Sequence, residues 1–511
     1  MKEKMKEIKE AVEDEKEARK TEELIIKEKQ KKLEEIKKLK INPYPYRFDK
    51  KDNCADIIKK YSKLKAGEHT KEKAVIAGRL ISIRRMGKLT FAHLQDQSGK
   101  IQILFKEENG KDIYELLKLI DAGDILGIEG IVFATKTGEV TIEVKNMSLL
   151  CKSLRPLPEK WHGLKDPEIR YRKRYLDLVT TPGVRDVFIK RAEIYKAIRE
   201  FLDSRGFIEV QTPILQTQYG GANARPFVTK INAWNMKMYL RIAYELHLKR
   251  LLVGGFEKVY DLSVCFRNEG VDKTHNPEFS MMEIQCAYED YNYAMELTEQ
   301  LWEYVAKKVV GSTIIEYEGK KINLKTPWQR ITVKDAIKKY ANIDVDKYSD
   351  SELKDFVNTY SLQIKGDLTR GSIITALFEE LVEDKLIQPT HVIDHPRESS
   401  PLAKPHRKNP QLVERVEPFI NGWEVGNCYS ELTDPILQKK LLQEQAEKGR
   451  GGDEEAHPMD EDYIIALEHG LPPNVGIGVG VDRMVMLLTN SKTIRDVILF
   501  PIIKPESNPD K

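Results

Sequence analysis

The stretch Gly476-Ile477-Gly478-Val479-Gly480-Val481-Asp482-Arg483 reads as a strand that runs straight into a helix over Asp482–Leu488. Side chains alternate between the faces of a strand, so glycine at every second position strips one face to backbone. Ile477, Val479 and Val481 then fill a core on the other face, while a flat ring can lie against the bare side. Arg483 falls at the helix start, where the positive end of the dipole favours anions. The spacing is not the GxGxxG turn of a dinucleotide fold. A tight strand–helix packing joint would leave the same pattern, so the stretch needs company.

Two other segments supply it. Phe266-Arg267-Asn268-Glu269, a polar loop and His275-Asn276-Pro277-Glu278-Phe279 join an incoming strand, 257–267, to an outgoing one, 278–288. On the outgoing strand Phe279, Met281, Glu283 and Gln285 share a face. Arg267 suits bidentate neutralisation of a phosphate, His275 reaches another, and Phe279 offers a ring to a base. An ordinary surface hairpin also fits. The second segment is Glu417-Pro418-Phe419-Ile420-Asn421-Gly422-Trp423-Glu424, whose Asn-Gly is a strong hairpin signal. A turn there pairs Ile420 with Trp423 and Phe419 with Glu424, and sets Glu417 diagonally from Glu424 on the same face at roughly 7–8 Å. Two such carboxylates repel unless a hard cation joins them, and Mg²⁺ is the usual one; solvated acids on an edge hairpin are the alternative. Beyond the turn, Asn427, Tyr429 and Glu431 alternate onto a common face.

Acids also sit in apolar surroundings at Glu245 and Glu283. A buried carboxylate is costly without a cationic partner. If Glu245, Glu283 and Glu431 converge on an unneutralised hollow, a positively charged small substrate is the missing partner.

The chain has 511 residues, which predicts several domains. Hydrophobic content of 41% with 32% charged residues describes an ordinary folded protein. No apolar run reaches membrane-span length, and the charged N-terminal stretch predicts no secretory leader. Five scattered cysteines without a CxxC pair argue against a zinc knuckle or a disulfide framework, and a reducing cytoplasm is the expected compartment. With 84 basic against 81 acidic residues, any nucleic-acid binding must use local patches.

Residues 1–41 read as a charged, solvated helical extension ended by Asn42-Pro43-Tyr44-Pro45-Tyr46. In 42–150, strands at 74–83, 90–94, 101–105, 125–133 and 140–144, with a helix near 112–120, predict a Greek-key barrel of the OB type. Arg84, Phe91 and Gln102 are the edges and ring that read unpaired bases in such barrels, although Phe91 also fits a barrel core. Residues 151–178 form a basic linker, either solvated or touching phosphates. From 179 to 511 a helix at 186–205, stopped by Gly206, precedes strands at 239–243, 257–267, 278–288, 415–420, 423–432 and 475–481. A helical insertion occupies 325–390. The fold class is α+β: a barrel, then an antiparallel sheet flanked by helices.

Taken together, these strings resemble the class II aminoacyl-tRNA synthetases, and among them the lysyl-tRNA synthetases. Gly206-Phe207-Ile208-Glu209-Val210-Gln211-Thr212-Pro213-Ile214 is similar to the family's first motif, Phe266 through Phe279 to the second and Gly476 through Arg483 to the third. Leu154-Arg155-Pro156-Leu157-Pro158, Tyr171-Arg172-Lys173-Arg174-Tyr175-Leu176-Asp177-Leu178 and Arg495-Asp496-Val497-Ile498-Leu499-Phe500-Pro501 resemble strings of the lysine branch.

The resemblance implies condensation of lysine with ATP, in the presence of Mg²⁺, to lysyl-adenylate, followed by transfer to the 3′ end of tRNA(Lys). It implies a homodimer formed through the first motif. Arg267 would hold the α-phosphate and lysine carboxylate. Phe279 and Arg483 would sandwich adenine, with Glu269, His275, Asn276 and Gly480 completing the ATP site. Glu417 and Glu424 match Mg²⁺ ligands. Glu245 and Glu431 match the acids that meet the lysine ammonium; Glu283 and Gly221 line the α-amino end; Asn427 and Tyr429 complete the pocket. Arg84, Phe91, Gln102 and Glu139 match the anticodon readers. Three positions depart from the family pattern. Gln285 stands for a tyrosine and is expected to accept through its carbonyl, softening selectivity; Tyr244 stands for a proline and Cys428 for a glycine. An aspartate- or asparagine-specific relative would need cations facing the side chain of its substrate. A paralogue lysylating a protein would lack the barrel, and a non-catalytic RNA-binding paralogue would have lost Arg267 or Arg483.

Overall fold

Alternation of apolar and polar residues closes the N-terminal strands on themselves. His69–Met86, Leu89–Gln95, Lys100–Lys106, Val140–Cys151 and Ile125–Ala134 follow one another round a closed barrel. Lys100–Lys106 pairs parallel with Val140–Cys151, and the remaining ladders are antiparallel. This computed structural model describes residues 2–158, 164, 166–364, 367–450 and 459–505. It divides into two compact units, Met1–Gly163 and Leu164–Lys511. Residues 159–163 and 165 of the expected basic linker lie outside the described residues.

The barrel interior holds Ile76, Leu94, Ile103, Leu126 and Ile142, all buried. The helix Lys2–Lys38 is less solvated than its composition suggests. Ile36 is fully buried in the barrel core, and Lys32 pairs with Asp121 at 2.6 Å. An apolar residue every three or four positions was enough to dock its last turns. Lys152, counted with the linker's bases, is itself buried against Asp121 and Asp124 at 2.7 and 2.8 Å. In the second unit Arg170 and Arg174 of the linker pair with Asp177. These charges are neutralised within the protein.

Among the described residues the second unit builds a nine-stranded sheet. Its spatial order is Gln329–Thr332, Thr390–Pro396, Leu412–Ile420, Gly426–Ser430, Asn474–Gly480, Glu278–Ala287, Lys258–Phe266 and Ile208–Glu209, with Trp423–Glu424 paired to Leu412–Ile420. The two outermost pairs are parallel and the interior is antiparallel. Helices Val184–Asp203 and Tyr291–Val309 cover one face, packing Ile194, Phe201 and Trp302 onto Met282, Ile477 and Val479. Burying each such side chain contributes about 1.5–3 kcal/mol.

The expected strand at 239–243 forms only as Met236–Leu240. Arg241 then leaves the ladder because its guanidinium is bonded to the Val264 and Thr212 carbonyls, at 2.8 and 3.1 Å. Expected strand 423–432 divides into Trp423–Glu424 and Gly426–Ser430. Strands Gln329–Thr332 and Thr390–Pro396 were not foreseen; the first is four residues long and the second ends in proline. The helices Val333–Ala341, Asp350–Thr359 and Arg370–Leu381 of the 325–390 segment share a core with Val392 and Phe419 of the sheet.

Candidate active site

The three glycines set the floor of a cavity of about 590 Å³ on the sheet's open face. Ladder register puts Gln285 and Tyr429 on either side of Gly476, and Glu283 and Asn427 on either side of Gly478, while Met281 faces Gly480. Neighbours in register project to the same face, so these side chains wall a floor of bare backbone. Ile477, Val479 and Val481 point the other way and are buried. At Gly476 the missing side chain is a requirement, because a methyl built there would overlap Glu431 Oε1.

The rim above Gly480 is cationic. Gly480 precedes the helix Val481–Thr489, and Arg483 lies in its first turn. Arg483 donates to the Glu424 carbonyl, and its second amino group stands 3.5 Å from His275 Nε2. His275 is held by Asp272 Oδ2 at 2.8 Å. Burial works against ionisation of Asp272, yet the Thr274 and His275 contacts bring it down to about 2. Arg267 lies over the Phe279 ring at 5.1 Å and donates to the Ile242 carbonyl at 3.3 Å. Asn276 is buried with its Oδ1 unpartnered, its amide donating to the Glu278 carbonyl at 2.5 Å. Glu269 is exposed at the mouth.

The Asn421-Gly422 turn forms with the expected register, Ile420 opposite Trp423 and Phe419 opposite Glu424. Glu417 and Glu424 both line the cavity. Burial and then the Glu417 charge push Glu424 up. Glu383, from the helical segment, is pushed to about 8 by burial and by Glu417, Glu379 and Glu424. Arg415 partly compensates: it pairs with Glu417 and donates to Asn427 Oδ1 at 3.0 Å. Arg415 and Glu383 were missed by the sequence reading, although Arg415 sits two residues before Glu417 and so on its face.

The opposite end is acidic. Glu245 begins the helix Glu245–Val253 and accepts from the Tyr429 hydroxyl. Glu283 accepts from the Tyr244 N–H at 3.1 Å and is held well above the usual carboxylate range, by burial first and by Glu245 second. Gly221 packs against Glu245 rather than Glu283; a Cβ there would lie 2.7 Å from Glu245 Cγ. The expectation of a hollow with no internal cation needs correction. Lys249, fully buried, stands 2.6 Å from Glu431 Oε2 and 3.2 Å from Glu245 Oε1. Glu431 itself lies behind Gln285 and Gly476, with a side chain of zero exposure. Gln285 does not turn its carbonyl to the cavity: that oxygen accepts from Asn474 at 3.0 Å and its amide donates to Glu431 Oε1 at 2.7 Å. At this end, therefore, Glu245 and Glu283 line the cavity, with Lys249 behind Glu245. Lys249 was legible as the i+4 partner of Glu245 on a helix.

On the barrel, Phe91 is half-buried on the outer face, while its neighbours Thr90 and Ala92 point into the interior. Arg84 stands directly opposite it. Gln102 donates to Glu139 at 2.9 Å and accepts from Thr141 at 2.9 Å. His93, not foreseen, sits opposite Gln102 and 3.5 Å from Glu139. A ring, a guanidinium, an amide and a carboxylate thus share one exposed platform.

The family described as tRNA synthetases class II (D, K and N) matches residues 166–504, and the OB-fold nucleic acid binding domain matches residues 74–150. The lysine–tRNA ligase of Thermoanaerobacter sp. (strain X514) is 52% identical over 96% of this chain and 98% of its own length. That of Moorella thermoacetica is 49% identical over 93% of this chain and 96% of its own. That of Clostridium perfringens is 50% identical over 93% and 95%.

Proposed function

This chain belongs to the class II tRNA synthetases, on the lysine–tRNA ligase branch, and from that premise we propose which of its residues activate lysine and select its tRNA. The observation that carries the reading is a cavity with an arginine end and a glutamate end joined by a glycine floor. ATP enters at the arginine end. Its adenine lies between Phe279 and Arg483 over Gly480, with Glu269, His275 and Asn276 at the rim. Lysine lies along the floor with its carboxylate toward Arg267 and its two ammonium groups toward Glu245 and Glu283. Gly221, Gln285, Asn427 and Tyr429 shape the walls, and Glu431 acts from behind them.

No side chain need form a covalent bond. A lysine carboxylate oxygen attacks the α-phosphorus as the bond to the bridging oxygen of pyrophosphate breaks. The terminal ribose hydroxyl of tRNA then attacks the carbonyl, and AMP leaves. Arg267 neutralises charge shared by the carboxylate and α-phosphate, so catalysis is positioning and preorganised electrostatics. Glu417 and Glu424 fit Mg²⁺: their donors are all oxygen, they press on one another electrostatically, and two carboxylates plus phosphate oxygens are its ordinary holders. When bound, Mg²⁺ supplies neutralisation of the phosphates.

The platform of Arg84, Phe91, Gln102 and Glu139 takes the anticodon of tRNA(Lys), stacking a base on Phe91. Exposed apolar residues around the first motif, Ile208, Ile214 and Leu215 at 50%, 47% and 45% exposure, support a homodimer. None of the described helices is long and apolar enough to cross a membrane, and a translation enzyme works in the cytoplasm. The test is ATP–pyrophosphate exchange with each amino acid in turn. Lysine alone should support exchange; a signal from another amino acid and none from lysine would overturn the assignment.

A further inference from the structure

The two residues that would enclose adenine come from different elements, and their chain neighbours are tied together behind them. Phe279 is followed on its strand by Ser280, and Arg483 is preceded in its helix by Asp482. Asp482 Oδ2 accepts from the Ser280 N–H at 2.7 Å. Its other oxygen accepts from Arg191 of the helix Val184–Asp203. The same guanidinium donates to Ser280 Oγ at 2.8 Å and to the Tyr195 hydroxyl at 3.0 Å. Ser280 and Asp482 line the cavity, whereas Arg191 stands behind them. Asp482 is buried, at 3% exposure. Burial pushes its carboxyl up, and the Arg191 charge is the first contact to oppose that. The helix leading into the first motif, the strand of the second and the helix of the third thus meet at one guanidinium.

We propose that Arg191 is a positioning residue for ATP: through Ser280 and Asp482 it fixes the spacing between Phe279 and Arg483. The slot for adenine is then built before the nucleotide arrives, and less ordering has to be done on binding. The planar fork is what the arrangement needs, because one group spans partners on two separate elements; an ammonium offers only a point charge. Without Arg191, Asp482 is left buried without its cation. Its bond to the Ser280 N–H then remains to hold the helix start against the strand. The inference rests on the reading that adenine lies between Phe279 and Arg483.

The experiment is steady-state ATP–pyrophosphate exchange on the full chain for Arg191→Met, for Phe279→Ala and for the two combined. Arg191→Met should raise the ATP KM by about tenfold while the lysine KM stays within about threefold. Phe279→Ala should also raise the ATP KM. Both changes spoil the same slot, so the combined variant should fall short of the product of the two single effects. A combined effect equal to that product would overturn the proposal, because Arg191 would then act somewhere other than the slot. Equal rises in the ATP and lysine KM values would overturn it as well, in favour of a merely structural role. If Arg191→Met does not fold, Arg191→Lys decides, since it keeps a cation beside Asp482 but loses the fork. An ATP KM raised by about threefold or more with a wild-type lysine KM then supports the proposal, and an unchanged ATP KM sinks it. An ATP KM that Phe279→Ala leaves at the wild-type value overturns the adenine reading beneath the proposal. One raised by Phe279→Ala but not by Arg191→Met overturns the positioning role alone.

Discussion

The barrel platform and the glycine-floored cavity both use the alternation of a strand, yet they hold their polar groups under opposite conditions. On the barrel, Phe91, Arg84, Gln102 and Glu139 project from the outer face, and the interior residues between them carry the fold. In and behind the cavity wall, Glu283, Gln285, Glu431 and Lys249 are buried: Glu431 is balanced by Lys249, while Glu283 accepts from a backbone N–H and stays above the usual carboxylate range. Exposed recognition groups are separable from stability; buried ones are coupled to it and to one another.

The sharpest way to break this contrast lies at the arginine end of the cavity. Arg267→Ala should lower lysine-dependent exchange by about 10²–10³-fold, the usual loss when one preorganised charge-stabilising donor goes. A loss below about tenfold would remove Arg267 from the reaction. The matching change on the barrel is Phe91→Ala. Stacking is worth about 1–3 kcal/mol per base, so tRNA charging should fall by about 5–150-fold while lysine-dependent exchange stays at the wild-type rate. Equal losses in both assays would make Phe91 structural and erase the distinction. The smallest effect concerns pH. Burial and neighbouring acids raise Glu383 from the usual 4.5 to about 8 in the folded state. The folded protein therefore keeps a proton that the unfolded chain has released, and stability falls as pH rises between those values. Glu383→Gln should flatten the decline in melting temperature between about pH 5.5 and 8.5; an unchanged slope would assign the decline to other groups.

Much of this was readable in the amino-acid order because it depends on period and turn chemistry. Gly476, Gly478 and Gly480 announce a bare strand face whatever surrounds them. Asn421-Gly422 fixes the register that brings Glu417 and Glu424 together, and the barrel strands are bounded by glycine and aspartate. What the order of residues could not supply was which acids meet which cations. Glu431 reads as a cavity acid by alternation, yet Gln285 lies in front of it, because two adjacent strands bring both side chains over Gly476. Lys249 lies far from Glu431 in the chain, and only the packing of its helix joins them. Arg241 ended a strand early for a similar reason, since its buried partners come from other segments.

The contact between Gly476 and Glu431 also carries a consequence for descent. A single nucleotide change that turned glycine 476 into alanine would put a methyl group where the Glu431 oxygen sits. The acid would have to swing aside, and Lys249 would lose its nearest counter-ion. The substitution would thus cost more than the room its methyl takes, because it displaces an acid on which a buried amine depends.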